Sequence, residues 1–74
     1  MSRDKLVTMA NQIGQFFARQ GEERAVAGIA DHLRKFWDPR MRTQIYAHLE
    51  AGGQGLDGIV LKTIKHLQET DRIA

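Results

Sequence analysis

Apolar residues recur at helical spacing in four separate runs along the chain. Leu6, Met9, Ala10, Ile13, Phe16 and Phe17 line one stripe of a helix over about Arg3–Gln20, with Asp4, Asn11, Gln12, Gln15 and Arg19 mostly on the other faces. Ser2 is placed to cap its start and Asp4 lies in its positive first turn, while Gly21 ends it. A second helix is predicted from Glu22 to Phe36 or Trp37, with Val26, Ile29, Ala30 and Leu33 as its stripe and Phe36 or Trp37 completing it. Glu22 and Glu23 at its start and Arg34 and Lys35 near its end complement the helix dipole. Ala25, Ala27 and Gly28 are small enough for a neighbour to approach closely, which offsets the roughly 1 kcal/mol that Gly28 costs inside a helix.

Asp38-Pro39 breaks the pattern. Proline disfavours helical backbone at the residue before it, so the chain bends at Asp38; proline itself suits the first helical position and aspartate caps well just before it. The third helix therefore runs from Pro39 to about Ala51, presenting Met41, Ile45, His48 and Leu49 with Tyr46 beside them, and stops at Gly52-Gly53. Beyond the link Gly52–Gly55, Leu56, Ile59, Val60, Thr63, Ile64 and Leu67 mark a fourth helix over about Leu56–Thr70. Residues 1–2 and 71–74 are expected to fray, the latter unless a partner holds Ile73. No strand pattern or repeat is present. The expectation is one all-α domain over residues 1–74, a small bundle of about four short helices with a sharp corner at Asp38-Pro39.

Size changes this picture more than charge does. At 74 residues a single core supplies only about 3–5 kcal/mol, and small domains usually add disulfides, a metal or a partner. The chain has no cysteine, which excludes disulfides, thiolate catalysis and cysteine-ligated zinc or iron–sulfur sites on it. Docking on another chain is the remaining route. A formal net charge of +2 is too small to argue for nucleic acid alone. No apolar run approaches the roughly 20 residues that span a bilayer, and Asn11, Gln12 and Gln15 interrupt any secretory core, so the expected compartment is the cytoplasm.

Candidate chemistry is sparse. Gly53-Gln54-Gly55-Leu56-Asp57-Gly58 spells G-x-G-x-x-G, but a dinucleotide site needs a preceding strand and a βαβ unit, whereas a helix precedes it here. It reads as a helix–helix link. His32, His48 and His66 have no metal-ligand spacing, and Ser2, the sole serine, sits at the terminus, away from any triad arrangement. An enzyme would need a cleft that so small a core can barely enclose.

What stands out is His32–Arg42. It holds the sole tryptophan, the sole proline and four of the eleven cationic residues. Adjacent residues on a helix point about 100° apart, so Phe16-Phe17 cannot both face one core line, nor can Phe36-Trp37. Aromatic and arginine side chains dominate protein–protein hot spots, and guanidinium groups pair with carboxylates and stack on rings. Arg34, Phe36, Trp37, Arg40 and Arg42 are therefore the candidate partner-binding residues, with Trp37 or Phe36 filling an apolar pocket. Whether Trp37 faces the core or a partner is open at this level. The competing reading is a nucleic-acid-binding module whose third helix enters a groove, against which Asp31, Asp38, Glu50 and Asp57 interleave with the basic residues.

Three blocks carry a family resemblance: MANQIGQFF (9–17), VAGIADHLRKFWDPRMR (26–42) and AHLEAGGQGLDGIV (47–60). In this order they resemble the delta subunit of cytoplasmic, NAD-dependent, molybdenum-containing formate dehydrogenases, with HLRKFWDPRMR the most specific part. Gly21–Arg24 and the tail after Lys62 carry nothing diagnostic. The resemblance implies a non-catalytic subunit that supports assembly, stability or cofactor insertion. It implies that bis-molybdopterin guanine dinucleotide and iron–sulfur clusters reside on the partner alpha subunit, and that the beta and gamma subunits carry FMN and further clusters and pass electrons to NAD. No cofactor is expected on this chain, and self-association through its aromatic faces is compatible with this reading when the chain is isolated from its partners.

Overall fold

A computed structural model describes residues 2–73, apart from the side chain of Ile73. Among these residues four α-helices form, α1 (Arg3–Phe17), α2 (Glu22–Phe36), α3 (Pro39–Glu50) and α4 (Gly58–Ile73), with a 3₁₀ turn at Ala18–Gln20 and no strand. The predicted all-α bundle is thus the fold. The Ser2 hydroxyl accepts from Lys5 N–H at 3.2 Å, capping α1. Its C-terminus tightens into the 3₁₀ turn, which gives carbonyls of the last turn i→i+3 partners, before Gly21 leaves the helix at φ +91°.

α4 packs along α2 in the most extensive helix pair, with α1 across α2 and α3 against α4. Leu6, Ala10, Ile29, Ala30, Leu33, Trp37, Ile45, Val60, Ile64 and Leu67 form the buried core, drawn from every helix and the α2–α3 corner. Thr63 is buried with them, its hydroxyl donating to Ile59 C=O at 2.7 Å, so it adds no unsatisfied polar group.

The α1 stripe resolves into two lines. Leu6, Ala10 and Gly14 face the core at i, i+4 spacing, while Met9, Ile13 and Phe17 lie at its edge. Gly14 is the member that apolar periodicity overlooks: a Cβ there would overlap Val60 Cγ2, so the glycine sets how closely α1 approaches α4. Gly28 accepts the ring of Phe17, whose Cδ1 would stand 2.6 Å from an added Cβ, giving the predicted close approach a definite occupant.

The fourth helix begins at Gly58, two residues later than its pattern suggests. Leu56 N–H is held in a turn by Gly53 C=O at 3.1 Å, and the first helical bond runs from Leu61 N–H to Asp57 C=O at 2.8 Å. The helix also continues beyond Thr70. Tyr46 donates its hydroxyl to Asp71 Oδ2 at 2.5 Å, and Arg72 pairs with Glu50 at 3.1 Å, fastening the last turns of α4 to α3. Asp71–Ile73 belong to the last turn of α4; residues 1 and 74 and the Ile73 side chain, on which part of the expected fraying falls, lie outside the described residues.

Candidate functional site

At the corner the chain spends two residues in extended conformation, Trp37 at φ −91°, ψ 130° and Asp38 at φ −74°, ψ 168°, before Pro39 opens α3. Asp38 caps α3 by accepting from Met41 N–H at 2.9 Å, as its place before proline predicts. Because Trp37 has left the helix, its side chain is free of the angular spacing that binds Phe36. Trp37 turns inward and is 4% exposed; Phe36, the last helical residue, points outward and is 71% exposed. Of the two aromatic candidates for a partner pocket, Trp37 is thus committed to the core of this chain, and Phe36 is the one left free.

Phe36 does not stand alone. Its ring lies 4.7 Å, centroid to centroid, from the imidazole of His32, one turn earlier on α2. His32 is followed by Phe17 at 6.5 Å, and Phe17 by Phe16 at 5.1 Å with the rings nearly perpendicular. Edge-to-face packing at such separations is favourable for aromatic quadrupoles. Phe16 is 75% exposed, so the row begins and ends on solvent-facing rings. Between them runs an open groove of about 400 Å³ whose walls include Met9, Ile13 and Phe16 of α1, His32 and Phe36 of α2, and Met41 of α3. Trp37 forms part of its inner wall.

Residue spacing contains this groove in part. His32 and Phe36 share a helix face at i, i+4, and Met9, Ile13 and Phe16 follow one another at i, i+4, i+7. What spacing does not show is that α1 and the α2–α3 corner bring these two lines together, so Phe16, His32 and Met9 are absent from the predicted set.

The three arginines of that set separate. Arg40 is exposed on the outer side of the corner, beside Pro39, Thr43 and Gln44, and shares a second hollow with Asp38 and Met41. Arg34 lines a different face, with Val26, Ala30 and His66. Arg42 is half-buried, its Nε enclosed without a hydrogen-bond partner among the described residues. Arg42 and Arg34 both act on the phenol of Tyr46; burial and the Asp71 carboxylate hold that phenol well above its ordinary range, against the two guanidinium charges. The five predicted residues accordingly occupy the core, the groove, the outer corner and the Tyr46 face, and not one surface. The single basic helix face needed for groove-reading by α3 is split in the same way, since residues two apart on a helix point about 200° apart.

The glycine-rich link is a fastened loop. Asn11 donates to Gly55 C=O at 2.9 Å and accepts from Asp57 N–H at 2.9 Å, clamping the link to α1. His48 Nε2 lies 2.7 Å from Gln54 C=O; a carbonyl only accepts, so that nitrogen carries the proton. Gly53, at φ +65°, is buried where a Cβ would overlap Leu61 Cδ1. A helix precedes the G-x-G-x-x-G letters and its Asp57 amide is taken by Asn11, so the loop joins helices in place of a dinucleotide unit. Among the described residues no three histidine, aspartate or glutamate side chains converge as a metal site would require, and no helix is long and apolar enough to cross a membrane.

Fold and groove together describe a small all-helical domain whose distinguishing surface is aromatic. The sequence profile of the NADH-dependent formate dehydrogenase delta subunit family, FdsD, matches residues 5–64, a span that covers α1 from Lys5 onward, α2, α3, the clamped loop and the start of α4. The chain belongs to that family. No curated protein and no solved structure matches it.

Proposed function

We propose that the chain is an accessory subunit of a cytoplasmic, NAD-dependent, molybdenum-containing formate dehydrogenase, docking on the large catalytic subunit through the Phe16–His32–Phe36 groove. In this reading it supports assembly, stability or cofactor insertion and takes no part in the redox step. Family membership supports association with a formate dehydrogenase complex. The observation that carries the choice of surface is the pair of large apolar side chains, Phe16 and Phe36, left solvent-exposed on either side of one groove in a domain otherwise well buried. Contiguous exposed apolar surface rimmed by polar groups is the usual mark of an interaction site.

Phe36 and Phe16 would seat in apolar pockets of the partner, and Arg40, adjoining the groove through Met41, would reach a partner carboxylate or carbonyl. The bis-molybdopterin guanine dinucleotide, iron–sulfur, FMN and NAD sites fall to the partner subunits. This chain has no cysteine to ligate an iron–sulfur cluster.

The test is to remove this chain from the native cell and restore it in wild-type or Phe16→Ser/Phe36→Ser form. Loss of intact complex and of molybdenum in the large subunit without the chain, recovered by wild type and not by the double variant, is expected. A complex with full molybdenum content in the absence of the chain overturns the accessory role. Full recovery by a folded double variant overturns the assigned surface.

A further inference from the structure

Arg42 is the one arginine, lysine, aspartate or glutamate among the described residues that is not exposed; the other ten cationic residues and all nine acidic ones face solvent. It is half-buried with its Nε enclosed, and its guanidinium makes no hydrogen bond or ion pair with a described residue. Its Nη atoms are not enclosed in the same way, so the outer edge of the fork is open. The nearby carboxylates are engaged elsewhere. Asp38, one turn earlier, bends back to accept from Met41 N–H at 2.9 Å, Asp71 accepts from the Tyr46 hydroxyl at 2.5 Å, and Glu50 pairs with Arg72 at 3.1 Å. Tyr46 lies one turn beyond Arg42 on α3, and Arg34, near the end of α2, bears on the same phenol, so a second guanidinium charge adjoins this face.

Withdrawing an arginine from water without an acceptor costs stability, and folded proteins rarely do so unless the charge is paired. The fold of the isolated chain therefore gains from the stem of Arg42 and not from its charge. What the enclosure supplies is a guanidinium held in place, which an anion can meet at its open edge with little further loss of side-chain freedom. A planar fork suits a carboxylate or a phosphate. A phosphate backbone is bound by a row of cations, whereas Asp38, Glu50 and Asp71 are interspersed here, and a single carboxylate needs one. Arg42 lines neither the groove nor the hollows at Arg34 and Arg40, and one open edge holds a free small anion weakly. A carboxylate carried on a protein surface brings further contacts with it. Resting on the accessory-subunit reading above, we infer that the Arg42 face is a second docking contact, separate from the aromatic groove, where the guanidinium receives an aspartate or glutamate carboxylate of the formate dehydrogenase complex.

The experiment measures urea stability of the full chain and its affinity for the formate dehydrogenase complex stripped of it after purification, for wild type, Arg42→Met and Arg42→Lys. Arg42→Met keeps a long apolar stem and removes the charge. Its stability is expected to equal or exceed that of wild type while its affinity falls at least about tenfold, the loss of a charge-assisted pair. Arg42→Lys places an amine at the same site, which a carbodiimide joins as an amide to a contacting carboxylate, the reagent taking up the water. Mass spectrometry of the digest is expected to find position 42 linked to an aspartate or glutamate of the complex. Wild-type affinity in a folded Arg42→Met chain, a stability loss in that variant as large as its affinity loss, or a link that is absent or confined to this chain overturns the contact and leaves the groove standing. A duplex DNA oligonucleotide bound by wild type and not by Arg42→Met overturns the protein carboxylate in favour of phosphate. A wild-type chain that fails to rebind the stripped complex overturns the accessory reading, and this contact with it.

Discussion

Phe36 and Trp37 are consecutive, yet Phe36 is 71% exposed and Trp37 4%. The division arises because α2 ends between them: Phe36 keeps helical backbone, and Trp37 takes the extended conformation that leads into Asp38-Pro39. One ring completes the core and its neighbour faces outward. The two should therefore fail differently when removed. Trp37→Ala is expected to destabilise the isolated chain by about 3–5 kcal/mol, enough to leave much of it unfolded by circular dichroism. Phe36→Ser is expected to move the denaturation midpoint by no more than about 0.5 kcal/mol while weakening docking by about 2 kcal/mol or more. Equal stability losses from the two variants would contradict this division.

Two glycine-to-alanine changes should have opposite signs. Gly14→Ala places a methyl group into Val60, a stiff β-branched neighbour, and is expected to cost about 1–3 kcal/mol in spite of the better helix propensity of alanine. Gly58→Ala meets nothing within 4 Å at the start of α4 and is expected to add about 0.5 kcal/mol. Urea denaturation of both variants reads the difference.

Asn11 holds the glycine-rich link from both ends of its amide. Asn11→Ala removes a donor and an acceptor at once and is expected to cost about 1–2 kcal/mol. Amide hydrogen exchange supplies the local reading: the Asp57 amide should exchange faster in the variant by more than the global stability loss accounts for. Unchanged protection of Asp57 would show that the clamp does not hold the loop.

Burial and the Asp71 carboxylate raise the Tyr46 phenol above its ordinary value, so the folded state binds that proton more tightly than the unfolded chain does. The contribution to stability is complete below the ordinary phenol value of about 10 and is lost as pH rises above it. Stability measured against pH should therefore fall in the alkaline range for wild type and fall less for Tyr46→Phe. Tyr46→Phe should also lower stability near neutrality by about 0.5–1.5 kcal/mol through loss of the hydrogen bond to Asp71.

Local signals in the sequence governed what was legible. Ser2 and Asp38 cap the helices that their positions indicate, Pro39 opens α3, and the stripes of α2 and α4 supply Ile29, Leu33, Val60, Ile64 and Leu67 to the core. Packing divides the α1 stripe, with Met9, Ile13 and Phe17 against the edge of the core and Phe16 exposed. Met9, Ile13 and Phe16 belong to the apolar pattern of α1 yet border the groove, because Leu6, Ala10 and Gly14 form its buried line. Asn11 gave no signal, since its partners are more than forty positions away. Composition also grouped Arg34, Arg40 and Arg42 with the aromatics, although helical rotation and the bend send them to separate faces.

The outward rings of the groove are the proposed contact with formate dehydrogenase. Its most direct test is the affinity of Phe16→Ser/Phe36→Ser for the enzyme complex stripped of this chain after purification, measured beside wild type at about pH 7.5 with the fold of both verified. Docking through the groove predicts at least about a thirtyfold loss for the double variant, the equivalent of a hot spot worth about 2 kcal/mol or more. Wild-type affinity in a variant that retains its helical circular dichroism would contradict it.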